Sequence, residues 1–78
     1  MKFNIEKIKS EYPIGSRIKL IKMFDKYAPE PGTLGTIYGV DDIGIILVHW
    51  DNGSSLGLIY NLDNFILLLK ADLLIIYL

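Results

Sequence analysis

The chain has no cysteine, one histidine and one tryptophan among 78 residues. Without cysteine there is no disulfide scaffold, no thiolate zinc site and no cysteine nucleophile. A single histidine rules out a histidine-rich metal site and any relay needing a second imidazole. Excess charge is also missing: eight basic and nine acidic residues leave a net charge of −1. That does not announce a nucleic-acid or membrane partner. No apolar run reaches the about 20 residues of a membrane span, because the longest, 65–78, is interrupted by Lys70 and Asp72. The first residues, Met1 to Lys7, contain no apolar signal core. The expected setting is cytoplasmic.

At this length there is one small domain and one core. Such a chain buries only roughly 60–65% of the surface it exposes when unfolded. Yet 51% of its residues are hydrophobic. Apolar surface should remain on the folded monomer, which points to a partner or to self-association. Charge is unevenly divided. Residues 1–26 hold seven basic and three acidic side chains, +4; residues 27–78 hold Lys70 against six acids, −5.

Punctuation by turn residues sets the expected elements. Asn4 can cap a short helix that Pro13 ends, which assigns residues 1–12. Strands are expected near 16–23, 33–40, 45–50, 55–60 and 65–69, from period-two alternation between turns. Asp41–Gly44 and Asp51–Ser54 are hairpin turns by composition, and Asn61–Asn64 is a tight turn. A bulge at Leu20-Ile21 would turn Ile18, Leu20, Ile21 and Met23 inward, leaving Arg17, Lys19 and Lys22 outward. The expected core is Ile18, Leu20, Ile37, Ile46, Val48, Trp50, Leu56, Leu58 and Phe65. The segment Phe24–Gly32, with two prolines and a glycine, is a loop longer than usual, and such loops tend to carry function. Five short strands with tight turns predict an all-β fold, a small strongly bent antiparallel barrel over 13–69 with an apolar extension at 70–78.

Certain segments resemble a known family. Gly15-Ser16-Arg17-Ile18, Asp25–Pro29, Pro31–Ile37 with its Gly-Thr-Leu-Gly-Thr, Val40–Gly44 and Val48–Leu56 with its Trp-Asp-Asn-Gly-Ser look like a family of short uncharacterised proteins. These occur in bacterial phages and mobile elements and have an SH3-like barrel. The Trp50–Ser54 turn also resembles that of SH3-like domains in mind-bomb-type ubiquitin ligases, which bind peptides. The resemblance covers about 13–69 and implies a fold and a phage setting, in the cytoplasm of a bacterial host, without an agreed activity. The chain departs from the pattern at Leu34, Ile45 and Leu47, where the family is usually polar, and in the tail 70–78. All add apolar surface, which suggests a homo-oligomer, with the tail paired as an added strand or packed on a neighbour.

Candidate site residues have competing explanations. Trp50, Asp51 and Asn52 could form a ligand corner, or Trp50 could fill the core while the polar groups bond their own turn. Tyr27, Tyr38 and Tyr60 lie in or beside loops, where rings can stack on a base or a proline, or simply pack. Tyr27, in the long loop, is the foremost of these. Arg17, Lys19 and Lys22 could present a phosphate-binding row or a charged edge that resists aggregation. Asp41 and Asp42 lack further ligands for a metal. His49 lacks a serine or carboxylate at a defined spacing, and Gly32–Gly35 lacks the lysine and hydroxyl of a phosphate loop. No catalytic constellation and no cofactor motif emerge, so a non-catalytic binding protein is expected. The ligand-binding candidates are Arg17, Lys19, Lys22, Tyr27, Tyr38, Trp50, Asp51 and Asn52. In a phage setting, the concrete expectation is a host-defence antagonist. It would sequester a nucleotide-derived signal, in a pocket formed between subunits because so small a barrel has no deep cavity. The alternative is an SH3-like adaptor for a peptide, a host protein or nucleic acid.

Overall fold

Asn4 starts the helix as the sequence requires. Its side-chain oxygen accepts a hydrogen bond from the Lys7 amide at 3.1 Å, capping α1, Ile5–Glu11. Ile8 is 1% exposed and belongs to the core, although only Ile5 and Ile8 are apolar in this charged segment. In the computed structural model, which describes residues 4–68, five strands follow. They are β1 (Arg17–Lys22), β2 (Leu34–Val40), β3 (Ile45–Trp50), β4 (Leu58–Ile59) and β5 (Asn64–Leu68). The sheet is antiparallel throughout with order β4-β3-β2-β1-β5. The expected tail strand or packing at 70–78, and Leu69 of the fifth strand, lie outside the described residues.

The all-β class expected from alternation is the observed one, but the closed barrel is not. β4 and β5 remain the two edges, with no ladder between them. Side chains from all five strands nevertheless pack in one core, so the sheet curls around it. Ile8, Ile18, Leu20, Met23, Ile37, Ile46, Val48, Trp50 and Leu58 are buried there. Each large aliphatic side chain so buried contributes about 1.5–3 kcal/mol. Leu56 and Phe65, expected in the core, are only half-buried against it. Gly35 explains one close approach: a Cβ there would stand 2.6 Å from Val48 Cγ1 and 2.9 Å from Trp50 Cε3.

Two local expectations are corrected. The register of β1 against β5 shifts between Leu20 and Lys22, so a bulge exists. It turns Ile21 outward, 46% exposed, rather than inward. Leu20 and Met23 already fill the core at that point, and both bulge residues, Ile21 and Lys22, face solvent. The fourth strand covers two residues rather than 55–60. The Trp50 indole N–H donates to the Leu56 carbonyl at 2.7 Å, and Asn52 Oδ1 accepts from the Ser54 amide at 3.0 Å. These bonds draw 52–56 away from a ladder with β3.

Candidate functional site

The sequence candidates fall in three places rather than one. The first is the outer sheet face. Arg17 and Thr36 are opposite each other in the β1–β2 register, and Thr36 is opposite His49 in the β2–β3 register. Arg17 Nη1 donates to Thr36 Oγ1 at 2.9 Å and to Asp51 Oδ1 at 2.9 Å, and Nη2 donates to Asp51 Oδ2 at 2.7 Å. The fork is therefore bidentate, and it holds Asp51 below the usual carboxylate range and Arg17 above its own. Two candidates thus engage each other across β2. Tyr38 stacks on His49 with centroids 4.0 Å apart and planes 18° apart. Lys19 is exposed on the same face, opposite Leu34 and Ile66. Leu34, Ile45 and Leu47 are half-buried on this face rather than bare.

The second place is the Trp50–Ser54 turn. Trp50 is 4% exposed, with its indole N–H engaged at Leu56. Asn52 closes its own turn, and Gly53 takes φ +88°, a left-handed conformation suited to glycine. Every polar group expected of a ligand corner here has a structural partner: Asp51 has Arg17, Asn52 has Ser54. A parallel case is Asp41, whose Oδ1 accepts from the Ile43 and Ile45 amides at 3.1 and 2.9 Å. Among the described residues, no three His, Asp or Glu side chains come together as metal ligands would.

The third place is the loop after β1. Here the aromatic side chains stay outside. Phe24 is 56% and Tyr27 72% exposed. Lys22 Nζ lies over the Phe24 ring and Lys26 Nζ over the Tyr27 ring, each 5.0 Å from the centroid. Exposed pairs of this kind contribute about 0.5–1 kcal/mol. The loop is anchored around these groups. The Phe24 amide donates to Asp63 Oδ1 at 3.1 Å, and the Gly32 amide to the Leu20 carbonyl at 2.7 Å. The Tyr27 amide donates to Asp25 Oδ1 at 2.7 Å, and Pro29 is buried. An open groove of about 450 Å³ runs between Ile21–Met23 and Ala28–Pro31. Two further grooves, of about 410 and 400 Å³, flank Ile14 at the α1 end, and Arg17 borders the second.

Sequence reasoning did not single out Phe24, Lys26 or Asp63. The first two had a signal: Lys22 and Phe24 are two apart in an extended segment, and Lys26 adjoins Tyr27. Asp63 had none. It is 7% exposed, and its carboxylate accepts from the Phe24 and Ile59 amides at 3.1 and 2.8 Å. It joins the base of the long loop to β4. At the other end, Tyr12 packs edge-on to Tyr60 at 6.1 Å and against Phe65 at 5.2 Å. Tyr60 Oη donates to Glu11 Oε1 at 2.9 Å, pinning α1 to the sheet. Partial burial raises the Tyr12 hydroxyl pKa, as does nearby Glu11.

These features define a small all-β protein with an anchored loop that displays two lysine-capped rings. The chain belongs to the family described as Domain of unknown function (DUF4314), whose model matches residues 1–68. No curated protein and no solved structure matches the chain. No helix among the described residues is long and apolar enough to cross a membrane.

Proposed function

We propose that this is a non-catalytic binding protein whose ligand is a small nucleotide-derived anion, held at the Phe24–Gly32 loop. The observation that carries this reading is the pair of exposed rings, Phe24 and Tyr27, each with a lysine amine at 5.0 Å. A base stacked on such a ring gains about 1–3 kcal/mol, and the adjacent ammonium groups suit phosphate. Anchoring by Asp63, Leu20 and Pro29 lowers the cost of ordering the loop on binding. Of the candidates from sequence, Lys22 and Tyr27 belong to this site. Lys19, Tyr38 and Arg17 lie on the outer sheet face, where Asp51 is bonded to Arg17; Asn52 closes its own exposed turn and Trp50 is buried in the core.

The resemblance to phage proteins with SH3-like barrels supplies the biological proposal. A protein with this site would act stoichiometrically in a bacterial cytoplasm, sequestering a nucleotide-derived signal of host defence as part of a homo-oligomer. A second reading, an SH3-like adaptor for a proline-rich peptide, is favoured by the exposed Phe24 and Tyr27 rings of the same loop, because such peptides dock against aromatic side chains. Calorimetric titration with AMP, ADP-ribose, a cyclic dinucleotide, a proline-rich peptide and single-stranded DNA separates the two. Saturable binding of a nucleotide, weakened by Tyr27→Ala and by joint Lys22→Ala and Lys26→Ala substitution, is the expected result. Binding of the peptide alone selects the adaptor reading. Binding of DNA alone, or nucleotide binding indifferent to these substitutions, overturns the site.

A further inference from the structure

The two edges of the sheet are finished differently. At β4 the Ile59 amide donates to Asp63 Oδ2, and the Ile59 carbonyl accepts from the Leu62 and Asp63 amides. The chain's own turn closes that edge. At β5 no described strand lies on the far side. Its residues are Asn64, Phe65, Ile66, Leu67 and Leu68, without a charge or a proline. Natural edges are normally protected by such residues, by bulges or by covering segments.

The direction of the free backbone groups follows from β1. The Leu20 amide donates to the Thr33 carbonyl, and the Leu20 carbonyl accepts from the Gly32 amide, so both point away from β5. Backbone direction alternates along a strand, so Arg17 and Lys19 point toward β5, where Leu68 and Ile66 are their register partners. Phe65 and Leu67 therefore turn their N–H and C=O groups to the open edge. These two residues sit symmetrically about Ile66.

We infer that β5 is a self-pairing edge whose occupant is a second copy of this chain, joined antiparallel about a two-fold axis at Ile66. Each Phe65 then exchanges both backbone hydrogen bonds with Leu67 of the other copy. Ile66 faces its own counterpart in a non-hydrogen-bonded pair, where side chains approach most closely. Asn64 falls opposite Leu68, so no charges oppose each other. Ile66 is 47% exposed and lies in the outer-face row with Lys19, leaving room for its counterpart. Among the described residues, a two-fold pair satisfies the outward backbone groups of Phe65 and Leu67 with no third component. The inference is independent of the ligand site, because the 24–32 loop takes no part in it.

The chain has no cysteine, so single-cysteine variants read the geometry directly. Under mild oxidation of the full chain, Ile66→Cys is expected to form a disulfide-linked dimer rapidly. Ile59→Cys on the closed edge and Ile43→Cys in an exposed turn leave the paired edge intact and are expected to form no disulfide cross-link, or to form one slowly. Ile66→Lys places like charges opposite each other and is expected to weaken the dimer at least about tenfold in light scattering, with the circular dichroism of the fold retained. A wild-type chain that is monomeric at micromolar concentration overturns the proposal. So does cross-linking at Ile66 no faster than at Ile43, or a dimer indifferent to Ile66→Lys.

Discussion

The Trp50–Ser54 turn and the Phe24–Gly32 loop offer similar chemistry in sequence and opposite arrangements in space. Both contain an aromatic residue, a carboxylate and a turn-forming glycine. In the turn, the ring is in the core and each polar group is bonded by its own neighbourhood. In the loop, the carboxylate of Asp25 is used by the backbone but the rings remain outside under lysines. The difference shows that residue types suited to binding count as a site only where folding has not already used them.

That contrast can be broken by substitution. The largest effect is expected at Trp50: Trp50→Ala removes a buried ring and should lower stability by about 3–5 kcal/mol in urea unfolding. A loss below about 1 kcal/mol would mean the turn does not depend on the ring. Asp63→Ala comes next. It leaves the Phe24 and Ile59 amides without their acceptor and should cost about 2–3 kcal/mol. Amide exchange should then quicken at both positions, and loosening of the loop base should also weaken ligand binding.

Tyr27→Ala should change stability by no more than about 0.5 kcal/mol while reducing nucleotide affinity about tenfold or more. A comparable loss of stability would return Tyr27 to ordinary packing. The smallest effect belongs to the Arg17–Asp51 pair, which is solvent-exposed. Its arginine lowers the Asp51 pKa in the folded state. The unfolded state therefore takes up the proton first as pH falls. The pair's contribution is full above about pH 4 and fades as pH drops through the lowered folded value. The urea midpoint of Asp51→Asn should lack this part of the acid dependence, and the wild-type dependence should shrink in high salt.

Much of the architecture was legible in the sequence because turn residues and alternation act locally. Asn4 caps the helix as expected, Asp41 and Asn52 close their turns, and β2 and β3 fall within a residue of their expected bounds. Strand bounds failed where a distant group intervened. The Trp50 indole takes the Leu56 carbonyl and shortens β4, and packing of Leu20 with Met23 decides that Ile21 faces outward. Closure into a barrel depends on how β4 meets β5, which no local pattern states. The candidate site was half legible. Tyr27 stood out by lying in a long loop, whereas Phe24 read as an ordinary loop residue. Asp63 reaches Phe24 across 39 positions, a separation that leaves no mark in sequence spacing.

The most direct test of the proposed binding site is a titration of the nitrogen-15-labelled chain with ADP-ribose, followed by amide NMR. Saturable shifts concentrated at Lys22–Pro31, with Asp51–Ser54 unmoved, are the expected result. Shifts centred on Asp51–Ser54, or no saturable shift at Phe24 and Tyr27, would contradict it.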